Sequence, residues 1–144
     1  MRREQLEHIH EYLKGYSHKL FCGDFNFDSS RHFDPMDKRP LENDWLLQHF
    51  SDYQDVWAQL KPNDVGYTFD TLANTMLANK RLEQMRYDRI LLSSPKWKAI
   101  GIEIICDKQF TEALPGEVGD RGATTVTPVY PSDHFGLLTT LQFN

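Results

Sequence analysis

Asp24, Asn26, Asp88 and the pair Asp133-His134 are the residues whose types would act together on a phosphodiester. They stand in Gly23-Asp24-Phe25-Asn26, Arg86-Tyr87-Asp88-Arg89-Ile90 and Pro131-Ser132-Asp133-His134, and Tyr67-Thr68-Phe69-Asp70-Thr71 falls between the first two. Hydrolysis of such a bond needs an oriented water, neutralised charge on the phosphoryl oxygens and help for the leaving oxygen. Asp24 can orient or deprotonate the water. Asn26 cannot titrate, but its amide can donate to a phosphate oxygen. His134 can donate to the same phosphoryl group once a carboxylate holds its ring in the right tautomer, and Asp88 is the candidate carboxylate. Asp133 is a hard oxygen ligand suited to Mg²⁺ or Mn²⁺, directly or through water. Taken singly, each piece has a plainer reading: a turn after a strand, a solvated turn, a surface cross-strand ion pair. Thr68 and Asp70 alone also read as turn chemistry, and Phe69 as either a base-stacking ring or a core aromatic.

The elements that must position these groups follow from the hydrophobic pattern. Leu6, Ile9, Leu13 and Tyr16 recur at helical spacing over residues 3–15, with Gly15 as the stop. Lys19-Leu20-Phe21-Cys22-Gly23 reads as a short buried strand that delivers Asp24 and Asn26 to its C-terminal end. Residues 29–40 read as a polar loop, and residues 41–60 as one or two short helices broken near Ser51-Asp52. Strands are expected over 87–92, 97–106 and 135–143, with Ser93-Ser94-Pro95 as the turn between the first two and a charged loop over 107–123. Helices and strands alternate irregularly, so an α+β layering is expected rather than repeated βαβ units.

At 144 residues, with 40% hydrophobic and 12% aromatic side chains, the chain is one domain with material for a real core. A net charge of −5 argues against a broad electrostatic nucleic-acid binder, though a bound divalent cation would supply positive charge locally. Cys22 and Cys106 lie in apolar stretches and read as buried, reduced thiols. The N-terminus lacks the apolar core of a signal peptide, and no stretch is apolar enough to cross a membrane. The expectation is an intracellular protein, nuclear or cytoplasmic, with no membrane partner.

Gly-Asp-Phe-Asn at 23–26, Arg-Tyr-Asp-Arg-Ile-Leu-Leu at 86–92 and Ser-Asp-His-Phe-Gly-Leu at 132–137 resemble the endonuclease/exonuclease/phosphatase superfamily of Mg²⁺-dependent phosphoesterases. Tyr-Thr-Phe-Asp-Thr at 67–71, Asp55-Val56-Trp57 and Pro131 are most similar to its 5′-tyrosyl-DNA phosphodiesterase branch, which usually has Trp where this chain has Phe69. The resemblance implies a part of a four-layered α/β/β/α sandwich. It also implies Asp24 at the nucleophilic water, Asn26 on the phosphate, and Asp88 orienting a His134 that stabilises the transition state. Asp133, Asp24 and Asn26 would stand on the side of a Mg²⁺ or Mn²⁺ ion, and Thr68, Phe69 and Asp70 beside the substrate.

Members of that superfamily are built from two similar halves, the first supplying an early Asn and a Glu that ligates Mg²⁺. Nothing here matches those motifs. Glu4, Glu7, Glu11, His8 and His10 fall on the first predicted helix and read as a solvated face. Residues 1–144 are therefore expected to form a single, incomplete domain resembling the C-terminal half. The strands beginning at Phe21, Ile90, Ile102 and Leu137 would keep one face unpacked, for a missing N-terminal half or a partner to cover. The substrate expected is a nucleic-acid phosphodiester, including a 5′-phosphotyrosyl–DNA bond. Two alternatives stay open: a non-catalytic remnant that binds nucleic acid or protein, and a lipid or inositol phosphatase or deadenylase with the same motifs.

Overall fold

A computed structural model describes residues 2–32, 34–77, 80–109 and 129–144. Helix α1 (Arg2–Leu13) buries Leu6 and leads into strand β1 (Lys19–Asp24). Helix α2 (Glu42–His49), strand β2 (Gln54–Asp55) and helix α3 (Val56–Leu60) follow. The break falls at Ser51-Asp52, and Asp55 caps α3 by accepting from the amides of Trp57 and Ala58. Two short strands, β3 (Phe69–Asp70) and β4 (Gln84–Met85), pair antiparallel. Strands β5 (Asp88–Ser93), β6 (Trp97–Ile105) and β7 (Gly136–Phe143) complete the order. The loop expected over 107–123 lies outside the described residues from 110 onward.

The central sheet has the order β1-β5-β2, with β5 antiparallel to both neighbours. Side chains alternate across a strand, and β5 uses both faces. Leu91 joins Leu6, Phe25, Phe27, Trp45, Leu46 and Phe50 in a core under α1 and α2. Ile90 and Leu92 join Val56, Trp57, Ala99 and Ile102 on the other side, where α3 and the β6-β7 hairpin pack. The sequence places an open face on the strand containing Ile90, but every residue from Arg89 to Ser93 is buried. Layers on both sides cover this strand, which is why its apolar run is continuous. Exposed apolar residues remain on β1 (Leu20), β6 (Ile100) and β7 (Leu138).

The two cysteines are free, as expected, but both are exposed. Cys22 lies on the edge strand β1, away from the Leu91 core. Cys106 follows β6 at a left-handed turn, φ 61°. An apolar neighbourhood in sequence does not tell which strand edge or turn stays uncovered. Gly66, at φ 63°, abuts the Trp57 ring so closely that a Cβ there would lie 2.2 Å from it. Trp57 in turn donates from Nε1 to the Asp64 carbonyl, which fixes the chain entering the Tyr67 motif. No helix among the described residues is long and apolar enough to cross a membrane.

Candidate active site

Register alone brings the first two motifs together. Asp24 ends β1 and pairs directly with Asp88, which begins β5. Two carboxylates opposite one another on an antiparallel pair repel, so this pairing works against the stability of the sheet. Beyond Asp24 the chain turns sharply. The Phe25 amide donates to the Tyr87 carbonyl at 2.9 Å, and Asn26 adopts φ 54°, a conformation Asn tolerates. Asn26 donates its backbone N–H to Asp24 Oδ1 at 2.8 Å and its side-chain amide to Oδ2 at 3.0 Å. Both Asp24 oxygens are thereby oriented while the residue stays exposed.

This turn rests on a buried cation. Arg89 is 1% exposed and donates to the Phe27 carbonyl at 2.9 Å and to Asn43 Oδ1 at 2.6 Å. Its guanidinium lies 5.3 Å and 4.8 Å from the Phe25 and Phe27 ring centroids. Burial, and then the charge of Arg86, lowers its pKa to about 10. The Asp28 carboxylate, also buried, accepts from the Arg86 amide at 2.7 Å and from Ser30 N, Ser30 Oγ and Arg31 N.

His134 approaches from the loop before β7. Its Nδ1 lies 2.8 Å from Asp88 Oδ2, and ligand atoms of Asp24, Asp88 and His134 all lie within 4.8 Å of one another. An ionised carboxylate only accepts, so this contact puts the proton on Nδ1 and leaves Nε2 free. Phe69 meets the His134 ring edge-on at a centroid distance of 5.1 Å, and Tyr87 lies at 6.2 Å. The Tyr87 phenol donates to Glu83; burial, and then this bond, raises its pKa. Phe69 is half-buried and lines one side of the His134 ring.

Asp24, Asn26, Asp88, His134 and Phe69 therefore converge. Asp133 does not join the cluster: it is exposed, with Oδ1 accepting from Ser132 Oγ at 3.2 Å. Thr68 and Asp70 sit behind the site instead of lining it. Thr68 is enclosed and its hydroxyl accepts two backbone amides. Asp70 caps the next turn, with Oδ1 accepting from Leu72 and Ala73 and Oδ2 from Gln84 Nε2. Arg89 and Asn74 stand outside the site residues expected from the sequence. Arg89 carried a signal, being a charged residue inside an apolar run.

The donor set fits a hard divalent cation weakly. Asp88 and His134 bind each other, which leaves the exposed Asp24 carboxylate, already accepting from Asn26, and the neutral Asn26 side chain as the remaining oxygen donors of the cluster. A cleft of about 600 Å³ between α1 and β1 reaches Asp24 at one end.

Asp24, Asn26, Asp88 and an Asp-supported imidazole thus gather at one sheet edge of an α+β fold. The fold is that of the endonuclease/exonuclease/phosphatase sandwich, seen in TDP2 structures. D. rerio TDP2, solved with a single-strand DNA product, is 24% identical; it superposes over 98% of this chain and 49% of its own, with a TM-score of 0.65. A D. rerio TDP2 humanized by 14 mutations matches at 23% identity over 98% and 48%, with a TM-score of 0.60. C. elegans TDP2 matches at 17% identity over 99% and 37%, with a TM-score of 0.62. These likenesses establish the fold. This chain spans about half the length or less of the chains it matches. No protein-family model matches the sequence, and no curated protein does.

Proposed function

We propose that this chain carries the Asp24, Asn26, Asp88 and His134 side of a Mg²⁺- or Mn²⁺-dependent phosphodiesterase acting on nucleic acid, 5′-phosphotyrosyl–DNA bonds included. The observation that carries the reading is the 2.8 Å Asp88–His134 pair set within 4.8 Å of Asp24. The fold shared with a TDP2 that was solved with single-strand DNA product supports the substrate class. In this reading Asp24 orients and deprotonates the attacking water, and Asn26 places the phosphate with the amide hydrogen not given to Asp24. His134 stabilises the phosphoryl oxygens through Nε2, while Asp88 holds the ring. Asp24 and Asn26, with Asp133 through water, would hold the divalent cation, which when bound would supply positive charge for the phosphoryl oxygens. Phe69 offers its exposed edge to a base or a phenol.

Hydrolysis of bis(p-nitrophenyl) phosphate and of a 5′-phosphotyrosyl oligonucleotide tests this. Turnover that requires Mg²⁺ or Mn²⁺, stops with EDTA and disappears in Asp24→Asn is expected. A second reading, a nucleic-acid-binding module without turnover, is favoured by one observation. Among the described residues no Glu joins the Asp24, Asp88 and His134 group. Binding of single-stranded DNA with no metal-dependent cleavage would replace the first reading with this one.

A further inference from the structure

Thr68 and Asn74 are each 0% exposed, and between them they bond both segments that make the Asp88–His134 pair. Thr68 Oγ1 accepts from the backbone amides of Tyr87 at 3.1 Å and Asp88 at 3.0 Å. The carbonyl of the same residue accepts from the Phe135 amide at 2.7 Å, one residue past His134. One residue thus grips the start of β5 with its hydroxyl and the His134 loop with its backbone. Asn74 holds the other end of that loop, donating from Nδ2 to the Ser132 carbonyl at 2.9 Å. Its Oδ1 accepts from the Met76 amide at 3.1 Å, so the carboxamide is held at both ends, and its backbone N–H donates to the Asp70 carbonyl at 2.9 Å.

Asp88 and His134 are 46 residues apart in the chain, and a 2.8 Å hydrogen bond between them tolerates little drift. A hydroxyl oxygen has two acceptor lone pairs, and at Thr68 both are used. A methyl in its place leaves the half-buried Tyr87 and Asp88 amides without this acceptor, and the start of β5 must shift to find another.

Building on the reading above, we propose that Thr68, supported by Asn74, is a positioning residue that sets the Asp88–His134 hydrogen bond and with it the His134 tautomer. It works from behind the site and touches no substrate.

The ring ¹⁵N shifts of His134, assigned with His134→Gln and read at a pH where the imidazole is neutral, test this without any need for turnover. The proton is expected on Nδ1 in the wild type and in Thr68→Ser, and exchanging between Nδ1 and Nε2 in Thr68→Val. Val56→Ala, a core substitution in the cluster under α3, should match the wild type. If Thr68→Val does not fold, Thr68→Ala removes the same hydroxyl with room for water and carries the comparison. A Thr68→Val or Thr68→Ala protein that keeps its proton on Nδ1 overturns the proposal, as does equal loss of that proton in Val56→Ala. A wild type without a proton on Nδ1 overturns the Asp88–His134 pairing itself, a failure distinct from that of Thr68. Where diester turnover is measured, Thr68→Val should lower kcat by roughly 100-fold with KM little changed, and Thr68→Ser should restore it.

Discussion

Asp24 and Asp88 sit opposite each other on paired strands, where the sheet would be better off without their repulsion, and the proposed reaction uses both carboxylates. Stability and activity should therefore part company at this pair. Asp88→Asn is expected to leave the thermal midpoint unchanged or raised while lowering kcat by about 10²–10⁴, the range for a positioned acid–base group. A fall in thermal midpoint with normal turnover would show instead that Asp88 is an ordinary strand residue. Arg89 presents the opposite case, a charge placed for the fold. Its fork satisfies Phe27 O and Asn43 Oδ1 at once, which a single ammonium on a longer stem cannot do with the same geometry. Arg89→Lys should destabilise the protein by about 1–3 kcal/mol in denaturant titrations, the usual result of a buried acceptor left unpaired. An unchanged midpoint would mean that the Asp24–Asp28 turn stands without it.

Among the elements, α3 is the one whose position depends most on a single side chain. It has only five residues, too few to be stable alone, so its cap and its packing must hold it. Asp55 caps it and also pairs with Arg86, one guanidinium nitrogen lying 2.8 Å from each carboxylate oxygen. Because the Arg86 side chain is 7% exposed, Asp55→Ala leaves a buried cation unpaired and should destabilise by about 3–5 kcal/mol. Asp55→Asn keeps a cap oxygen and a neutral acceptor, so it should fall well short of that loss. Equal losses in the two variants, measured by urea unfolding, would assign the whole effect to the charge that Arg86 pairs with and none to the cap. The two short strands β3 and β4 matter for a different reason: β3 carries Phe69, with Thr68 just before it, and pairing with β4 holds this segment beside the His134 loop.

At the scale of the whole molecule, folding links to pH through its partly buried phenols. Burial, and then the charge of Asp52, raises Tyr53 from 10.0 to about 12. Its folded pKa exceeds its unfolded one, so the native state binds this proton more tightly. That contribution is complete below pH 10.0 and is lost as pH climbs toward about 12. Tyr53→Phe should flatten the fall in urea midpoint across that window, and an unaltered slope would assign it to other groups. Much of this molecule was legible in the sequence: α1, the helix break at Ser51-Asp52, the main strands, and Asp24, Asn26, Asp88 and His134 as one set. Local periodicity and strand-end placement encode these directly. What β5 packs against, which cysteine faces are covered, and which of Thr68, Phe69, Asp70 and Asp133 face the site were settled only by the tertiary structure. Burial and hydrogen-bond partners depend on segments distant in the chain. A threonine beside a motif is the same letter whether its hydroxyl meets a substrate or two backbone amides.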